Sequence, residues 1–172
     1  MSRKKLFLLA EQKNIKLLVE KGEFLIVWGN TVALEQIVMN LIKNALIYTP
    51  KGGVVSVRLS PNYLGSIEMR VEDNGIGIAR NDLFHIFEPF YRGDHSRKRG
   101  QGGSGLGLTI VSELVKLHRG KILMQSSKKS GTTATVLLPC GHIEHHSNII
   151  GDTSQDAIAM DYSHHKHPAR PK

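Results

Sequence analysis

Apolar positions along this chain change their period from segment to segment, and each change marks an element. Residues 14–28 (NIKLLVEKGEFLIVW) are apolar and β-branched around a glycine break, which predicts two short strands or a hairpin. Gly29-Asn30 punctuates, and Asn30 suits a helix cap. From there Leu34, Ile37, Val38, Leu41, Ile42 and Ala45 recur at helical spacing, and Thr49-Pro50 with Gly52-Gly53 end the helix. Residues 54–59 and 67–72 alternate as strands across a turn at 60–65, so they read as a hairpin. A short helix is predicted within 80–91, followed by the apolar patch Ile86-Phe87-Glu88-Pro89-Phe90-Tyr91. Residues 92–105 (RGDHSRKRGQGGSG) have the composition of a mobile loop. A second amphipathic helix spans 106–119, with Gly120 placed as its cap, and 121–126 with 132–138 form a closing hairpin.

After Pro139 this patterning stops. Six of the nine histidines fall at 142–167 among Ser, Asp, Pro and Asn, and the segment 140–172 reads as a disordered, His-rich tail. Adjacent pairs such as His145-His146 and His164-His165 are more often polar filler than metal ligands. The length of 172 residues suits one domain with a real core. No apolar run approaches the roughly 18–20 residues of a membrane span, and the start MSRKKLFLLAEQ lacks the long apolar core and cleavage site of a signal peptide. Cys140 is the only cysteine, which excludes an internal disulfide and fits a reducing compartment. Residues 1–139 carry 20 basic and 11 acidic side chains, so the net positive charge lies in the patterned part. Its one dense cluster, Arg97-Lys98-Arg99, has no interleaved aromatics. A polyanionic small ligand explains it as well as nucleic acid does, and nucleic acid is not expected as a partner.

Three segments carry candidate chemistry. Asn40 and Asn44 stand four apart on one helix face, opposite the aliphatic stripe. They are either solvated amides or, as hard neutral oxygen donors, a site for magnesium beside phosphates. Asp73 follows a strand and precedes Asn74-Gly75. Alone this is an ordinary turn, but a buried carboxylate there needs a donor, and an adenine amine is one. Gly75 and Gly77 let backbone approach a flat base. GSGLGL at 103–108 opens the second helix, where curled backbone and the helix N-terminus favour phosphate. GQGGSG formally fits a dinucleotide fingerprint, but it follows a basic loop rather than a strand. No GxxxxGK[ST], HRD or DFG occurs, which excludes a P-loop and the Ser/Thr/Tyr protein-kinase fold.

NLIKNALIYTP, VEDNGIGIA, IFEPFYRG, GGSGLGL and GTTATVLLP, in this order, resemble the catalytic ATP-binding domain of bacterial sensor histidine kinases over residues 14–139. The resemblance implies an α/β (α+β) two-layer sandwich of the Bergerat type. Its mixed, mostly antiparallel sheet would pack on about three helices, with ATP between helices and a mobile lid. It matches Asn44 to the magnesium ligand, with Asn40 one turn earlier beside the phosphates. Tyr48 corresponds to an aromatic near ribose and base. Asp73 corresponds to the acid that bonds the adenine amine, followed by Gly75, Gly77 and Ile78. Phe87 and Phe90 match an aromatic pair anchoring the lid, and Arg92 a basic residue near the phosphates. Gly103, Ser104, Gly105, Leu106, Gly107 and Leu108 match the phosphate loop, and Thr132 or Thr133 a neighbour of the adenine acid. Asn40, Asn44 and Arg92 are the expected catalytic group.

Two departures stand out. The family often has Lys just before the tyrosine of its NAxKYTP pattern, where this chain has Ile47. Arg92, Arg97 and Lys98 are the candidates to compensate. Residues 1–13 contain no histidine and read as the end of an acceptor-domain helix or as a linker, so the phosphoacceptor histidine is not within this chain's motifs. ATP-hydrolysing relatives and anti-sigma kinases carry Glu one turn before the magnesium Asn, as a base for water. Here that position is Asn40, and Glu35 is poorly placed to substitute. The expected activity is transfer of the γ-phosphate of Mg-ATP to a histidine on a separate acceptor domain, and through it to a response regulator. The expected setting is cytoplasmic, as part of a membrane-associated sensor. The alternatives are a nucleotide-binding regulatory module without transfer, motivated by Ile47, and an ATPase or anti-sigma kinase.

Overall fold

A computed structural model describes residues 3–20, 25–62, 65–93 and 104–140. Two layers make up the fold. Helix α1 (Arg3–Gln12) leads into strand β1 (Lys16–Val19) and helix α2 (Thr31–Tyr48). Strands β2 (Val54–Asn62) and β3 (Ser66–Asp73) follow, then one turn of helix α3 (Arg80–Leu83) and helix α4 (Gly107–Leu117). Strands β4 (Lys121–Ser126) and β5 (Thr132–Pro139) close the chain order. The sheet order is β1-β2-β3-β5-β4. Only β1 and β2 run parallel, and the remaining pairs are antiparallel, so the expected mixed, mostly antiparallel sheet is the one found.

Alternation on the strands decides the layering. Val55, Val57, Ile67, Met69, Val71, Ala134, Val136 and Leu138 turn inward and are buried. All of these except Ile67 meet Ile37, Leu41, Ala45 and Leu46 of α2 and Val111 and Val115 of α4 in one core. Outward-facing Arg70 instead pairs with Glu68 and Glu72 on its own strand at 3.1 and 3.3 Å. The segment 1–13 adds Leu6 and Ala10 to the same core, so α1 is seated on α2. No helix among the described residues is long and apolar enough to cross a membrane.

Helix ends follow local chemistry. Asn30 caps α2 as expected, its Oδ1 accepting from the Ala33 N–H at 2.9 Å. Its own N–H donates to His118 Nε2 at 3.2 Å, and His118 Nδ1 donates to the Leu114 carbonyl at 2.7 Å. One imidazole therefore ties the start of α2 to the end of α4.

Two sequence expectations change. The strands or hairpin expected over 14–28 reduce, among the described residues, to β1 and a single bridge between Val27 and Cys140. β1 finds its partner in β2, across α2, rather than in the next segment. The expected role of Gly120 also moves one residue: Arg119 takes the left-handed conformation (φ 54). Arg119 and Gly120 donate to Lys116 and Val115 carbonyls at 2.8 and 2.9 Å, closing α4 with the paired bonds typical of a left-handed cap. Gly120 is required for proximity instead, since a Cβ there would stand 2.5 Å from the Leu137 carbonyl oxygen.

Candidate nucleotide-binding site

A cleft opens between α2 and α4 on one side and the ends of β3, β4 and β5 on the other. Its floor is apolar, formed by Leu41, Ala45, Val71, Met124 and Ala134. Asn44, Tyr48, Asp73, Asp82, Arg92 and Thr132 bring polar groups to its rim. An apolar floor with a few convergent polar groups suits a flat heteroaromatic ring carrying a charged tail.

Asp73 ends β3 opposite Thr132. Its Oδ1 accepts from the Gly75 N–H at 2.8 Å, and a backbone hydrogen bond from Thr132 adds to it. Burial raises its pKa above the ordinary carboxylate value, and the two backbone bonds offset only part of that rise. A carboxylate offers about four lone-pair sites, so acceptor capacity remains on a side chain that lines the cleft. An exocyclic amine would answer it.

The loop after Asp73 is locked to the β4–β5 turn. Ser126 is the hub: its hydroxyl donates to the Gly131 carbonyl at 2.7 Å, accepts from the Ile78 N–H at 2.8 Å, and lies 3.0 Å from Thr132 Oγ1. The Lys129 N–H donates to the Ile76 carbonyl at 2.8 Å. Gly77 (φ 66) and Gly131 (φ 78) both adopt left-handed backbone. A Cβ on the first would collide with the Ser127 carbonyl, and one on the second with the Asp73 carbonyl. Gly75 is confined differently, since a Cβ there would lie 2.6 Å from the Tyr48 carbonyl oxygen. Asn74 braces the loop from outside, its Oδ1 accepting from the Val54 N–H at 2.7 Å.

At the other end, α2 presents its amides to the start of α4. A Cβ at Gly107 would come within 3.5 Å of Asn40 Oδ1 and 4.0 Å of Asn44 Nδ2. Among the described residues, no hydrogen bond engages either amide. Leu106 stands at the helix cap position without a side-chain cap bond, so the first N–H groups of α4 have no capping oxygen from a side chain. Helix N-terminus and amides thus converge on one spot.

The structure therefore brings together Asn44, Tyr48, Asp73, Gly77, Ile78, Arg92, Leu108 and Thr132 as cleft lining, with Asn40, Gly75 and Gly107 directly behind them. Thr132 rather than Thr133 is the neighbour of Asp73, because the register opposes Thr133 to Glu72. Phe87 and Phe90 do not line the cleft, where Ile86 and Tyr91 stand instead. Phe90 is 71% exposed with φ 62. Its backbone limits Gly105 (φ 76), whose Cβ would sit 2.8 Å from Phe90 Cα. Ser104, Gly105 and Leu106 lead into α4 without lining the cleft, and Gly103, Arg97 and Lys98 lie outside the described residues. Sequence reasoning missed Asp82, Met124 and Ser126. Met124 was legible from β4 alternation. Asp82 accepts the Tyr91 hydroxyl proton at 2.7 Å, a contact that no local pattern signals.

Fold and cleft together define the class as a two-layer α/β sandwich with a cleft suited to a nucleotide. Residues 29–142 match the family described as histidine kinase-, DNA gyrase B-, and HSP90-like ATPase, and the chain belongs to that family. It is 40% identical over 131 residues to the sensor-like histidine kinase SenX3 of Mycobacterium tuberculosis, covering 76% of this chain and 32% of SenX3. Among solved structures it is similar to the mycobacterial sensor histidine kinase MprB, with 30% identity and a TM-score of 0.68 over 80% of this chain and 91% of that one. It is also similar to full-length ShkA in complex with AMPPNP, with 27% identity and a TM-score of 0.68 over 80% of this chain and 29% of that one. The chain spans about a third of the length of SenX3. The family implies ATP binding, and the expectation drawn from the five motifs is the family that matches.

Proposed function

We propose that this chain is the catalytic domain of a sensor histidine kinase, binding Mg-ATP and presenting the γ-phosphate to a histidine on a separate acceptor domain. The observation that carries this reading is the layout of one cleft, with Asp73 at one end and Asn44, Asn40 and Gly107 at the other. Adenine rests on the apolar floor, and its exocyclic amine donates a hydrogen bond to Asp73. The triphosphate runs toward the uncapped start of α4, where backbone N–H groups and the helix dipole favour negative charge. Arg92 adds a cation along that path.

Among the described residues, no group of three or more His, Cys, Asp or Glu forms a metal site. One amide oxygen fits magnesium that takes its remaining ligands from phosphates and water. Asn44 is the residue proposed to hold it, and the ion supplies charge neutralisation when bound. Residue 40 is an amide and cannot abstract a proton from water, which favours transfer over hydrolysis. The acceptor imidazole nitrogen forms the bond to the γ-phosphorus as the bond to the bridging oxygen breaks, and ADP leaves. Positioning and charge neutralisation carry the rate. Similarity to proteins named as sensor histidine kinases supports the same reading and implies a response regulator downstream. We propose a cytoplasmic setting, where ATP is available, within a membrane-associated sensor.

Incubation with radiolabelled ATP and a cognate helical-hairpin acceptor domain tests the proposal. Acid-labile label on the acceptor histidine is the expected result, and no label on any candidate acceptor overturns it.

A further inference from the structure

Helix α2 carries Asn44 and Tyr48 on its last turns, and it ends against a proline. Pro50 has no N–H, so the Leu46 carbonyl has no partner within the helix. Lys13, at the junction of α1 and β1, supplies one. Its Nζ donates to the Leu46 carbonyl at 2.7 Å and to the Ile47 carbonyl at 2.8 Å. The backbone of Lys13 completes the clamp. Its carbonyl accepts the Gly52 N–H at 2.9 Å, the group that would otherwise continue the helix by bonding Tyr48. The Tyr48 carbonyl instead accepts from the Ile76 N–H at 3.2 Å, inside the loop that follows Asp73. The last carbonyls of α2 are thus shared between the α1 junction and the adenine loop.

We infer that Lys13 is a positioning residue for the nucleotide, coupling the seating of α1 to the adenine end of the cleft. The ammonium sits at the negative end of the α2 dipole, where a cation is stabilised, which is plain capping. Two features go beyond it. Both carbonyls it holds immediately precede Tyr48, which lines the cleft. α1 itself is fixed to α2 through Leu6 and Ala10 and to Ile15 through the Ala10 carbonyl at 2.8 Å, so a tilt of α1 moves Lys13 with it. The inference rests on ATP occupying this cleft. It adds that a residue outside the cleft sets how well the cleft is formed.

The test compares the wild-type chain with Lys13→Met, Lys13→Arg and Ile67→Val, the last a buried core change away from the cleft. ATP affinity in the presence of magnesium is measured by calorimetry, melting temperature by calorimetry, and the Ile76 amide shift by NMR. Lys13→Met is expected to weaken ATP about fivefold to tenfold and to shift the Ile76 amide without nucleotide. Lys13→Arg restores most of the affinity. Ile67→Val lowers the melting temperature with affinity unchanged. Unaltered affinity and an unmoved Ile76 amide in Lys13→Met overturn the coupling while the ATP reading stands. Absence of ATP binding by the wild-type chain overturns the ATP reading itself, and the coupling with it. If Lys13→Met does not fold, Lys13→Gln, which keeps one donor, is held to the same two readouts.

Discussion

The two ends of the cleft are built differently. At the end proposed for adenine, Asp73 is held by backbone N–H groups, Ser126 joins two loops through one hydroxyl, and two left-handed glycines pack against carbonyls. At the end proposed for the phosphates, Asn40 and Asn44 are held by the helix that bears them and face the opening of α4. The first end is fixed by interlocked backbone, the second by side chains on a helix whose other faces are packed. Changes to the interlocked backbone of the adenine end should therefore alter binding and stability together, whereas side-chain changes at the phosphate end should alter chemistry and leave the fold intact.

The largest expected effect is at Gly131. Its φ of 78 is strained for any L side chain, and its Cβ would strike the Asp73 carbonyl. Gly131→Ala should cost about 3–4 kcal/mol and lower the melting temperature by roughly 10 °C or more. Calorimetry of the unliganded chain measures this. A loss under about 1 kcal/mol would show that the two loops are not interlocked.

Asp73 separates the two contributions at the adenine end. Asp73→Asn should weaken ATP roughly 10–150-fold, the range for a hydrogen bond to a charged group. The same change should leave the melting temperature at pH 7 unchanged or slightly higher. The raised pKa gives the sign: the stability contribution of Asp73 is complete below its unfolded pKa and is lost as pH rises through the folded value. At neutral pH its carboxylate is a cost that asparagine removes. ATP affinity has the opposite slope. The amine donor favours the carboxylate, so affinity should be highest above the raised pKa and fall as pH drops through it. Titration of affinity against pH, compared with Asp73→Asn, checks both signs. Equal pH slopes for the two proteins would remove Asp73 from adenine recognition.

This contrast also explains what was legible in the sequence. The stripe from Leu34 to Ala45, the β2–β3 and β4–β5 hairpins and the Asn30 cap each depend on neighbours within a few residues, and local pattern is enough for them. Asp73, Asn44 and the glycines stand out because five motifs occur in family order, since each alone reads as an ordinary turn or a solvated amide. The parallel pairing of β1 with β2 was not, because it forms across the whole of α2. Ser126 was hidden for a similar reason. A serine at the end of a strand is unremarkable until the fold places the Ile78 N–H and the Gly131 carbonyl against it. Lys13 lies in a segment that reads only as a helix end or linker, and its contacts depend on the carbonyl that the distant Pro50 leaves unpaired. Phe87 and Phe90, given by motif order as lid anchors, stand outside the cleft lining, where Ile86 and Tyr91 stand.

The phosphate end answers to a different pair of substitutions. Asn44→Ala should lower phosphotransfer about 10–100-fold, as loss of metal-site ligation or support commonly does, with a change in melting temperature too small to unfold the chain. Asn44→Asp sharpens the result, because it keeps the oxygen but adds a charge near the triphosphate. Measured as initial rates at several magnesium concentrations, Asn44→Asp should need less magnesium yet bind ATP less tightly when the ion is scarce. A drop in stability as large as that of Gly131→Ala would erase the distinction between the two ends.

Ile47 gives the smallest effect and the finest test of where the phosphates lie. It occupies the position where the NAxKYTP pattern has lysine, and its backbone carbonyl already accepts from Lys13 Nζ. Ile47→Lys should therefore add a cation without disturbing the clamp. One phosphate contact of a flexible, solvated ammonium is worth about 0.5–1 kcal/mol, so ATP should bind about threefold tighter. AMP, which lacks the β- and γ-phosphates, should gain nothing, and the gain for ATP should shrink with added salt. A gain shared equally by AMP would mean that the new charge acts at the base or ribose, and the triphosphate would have to run along another wall of the cleft.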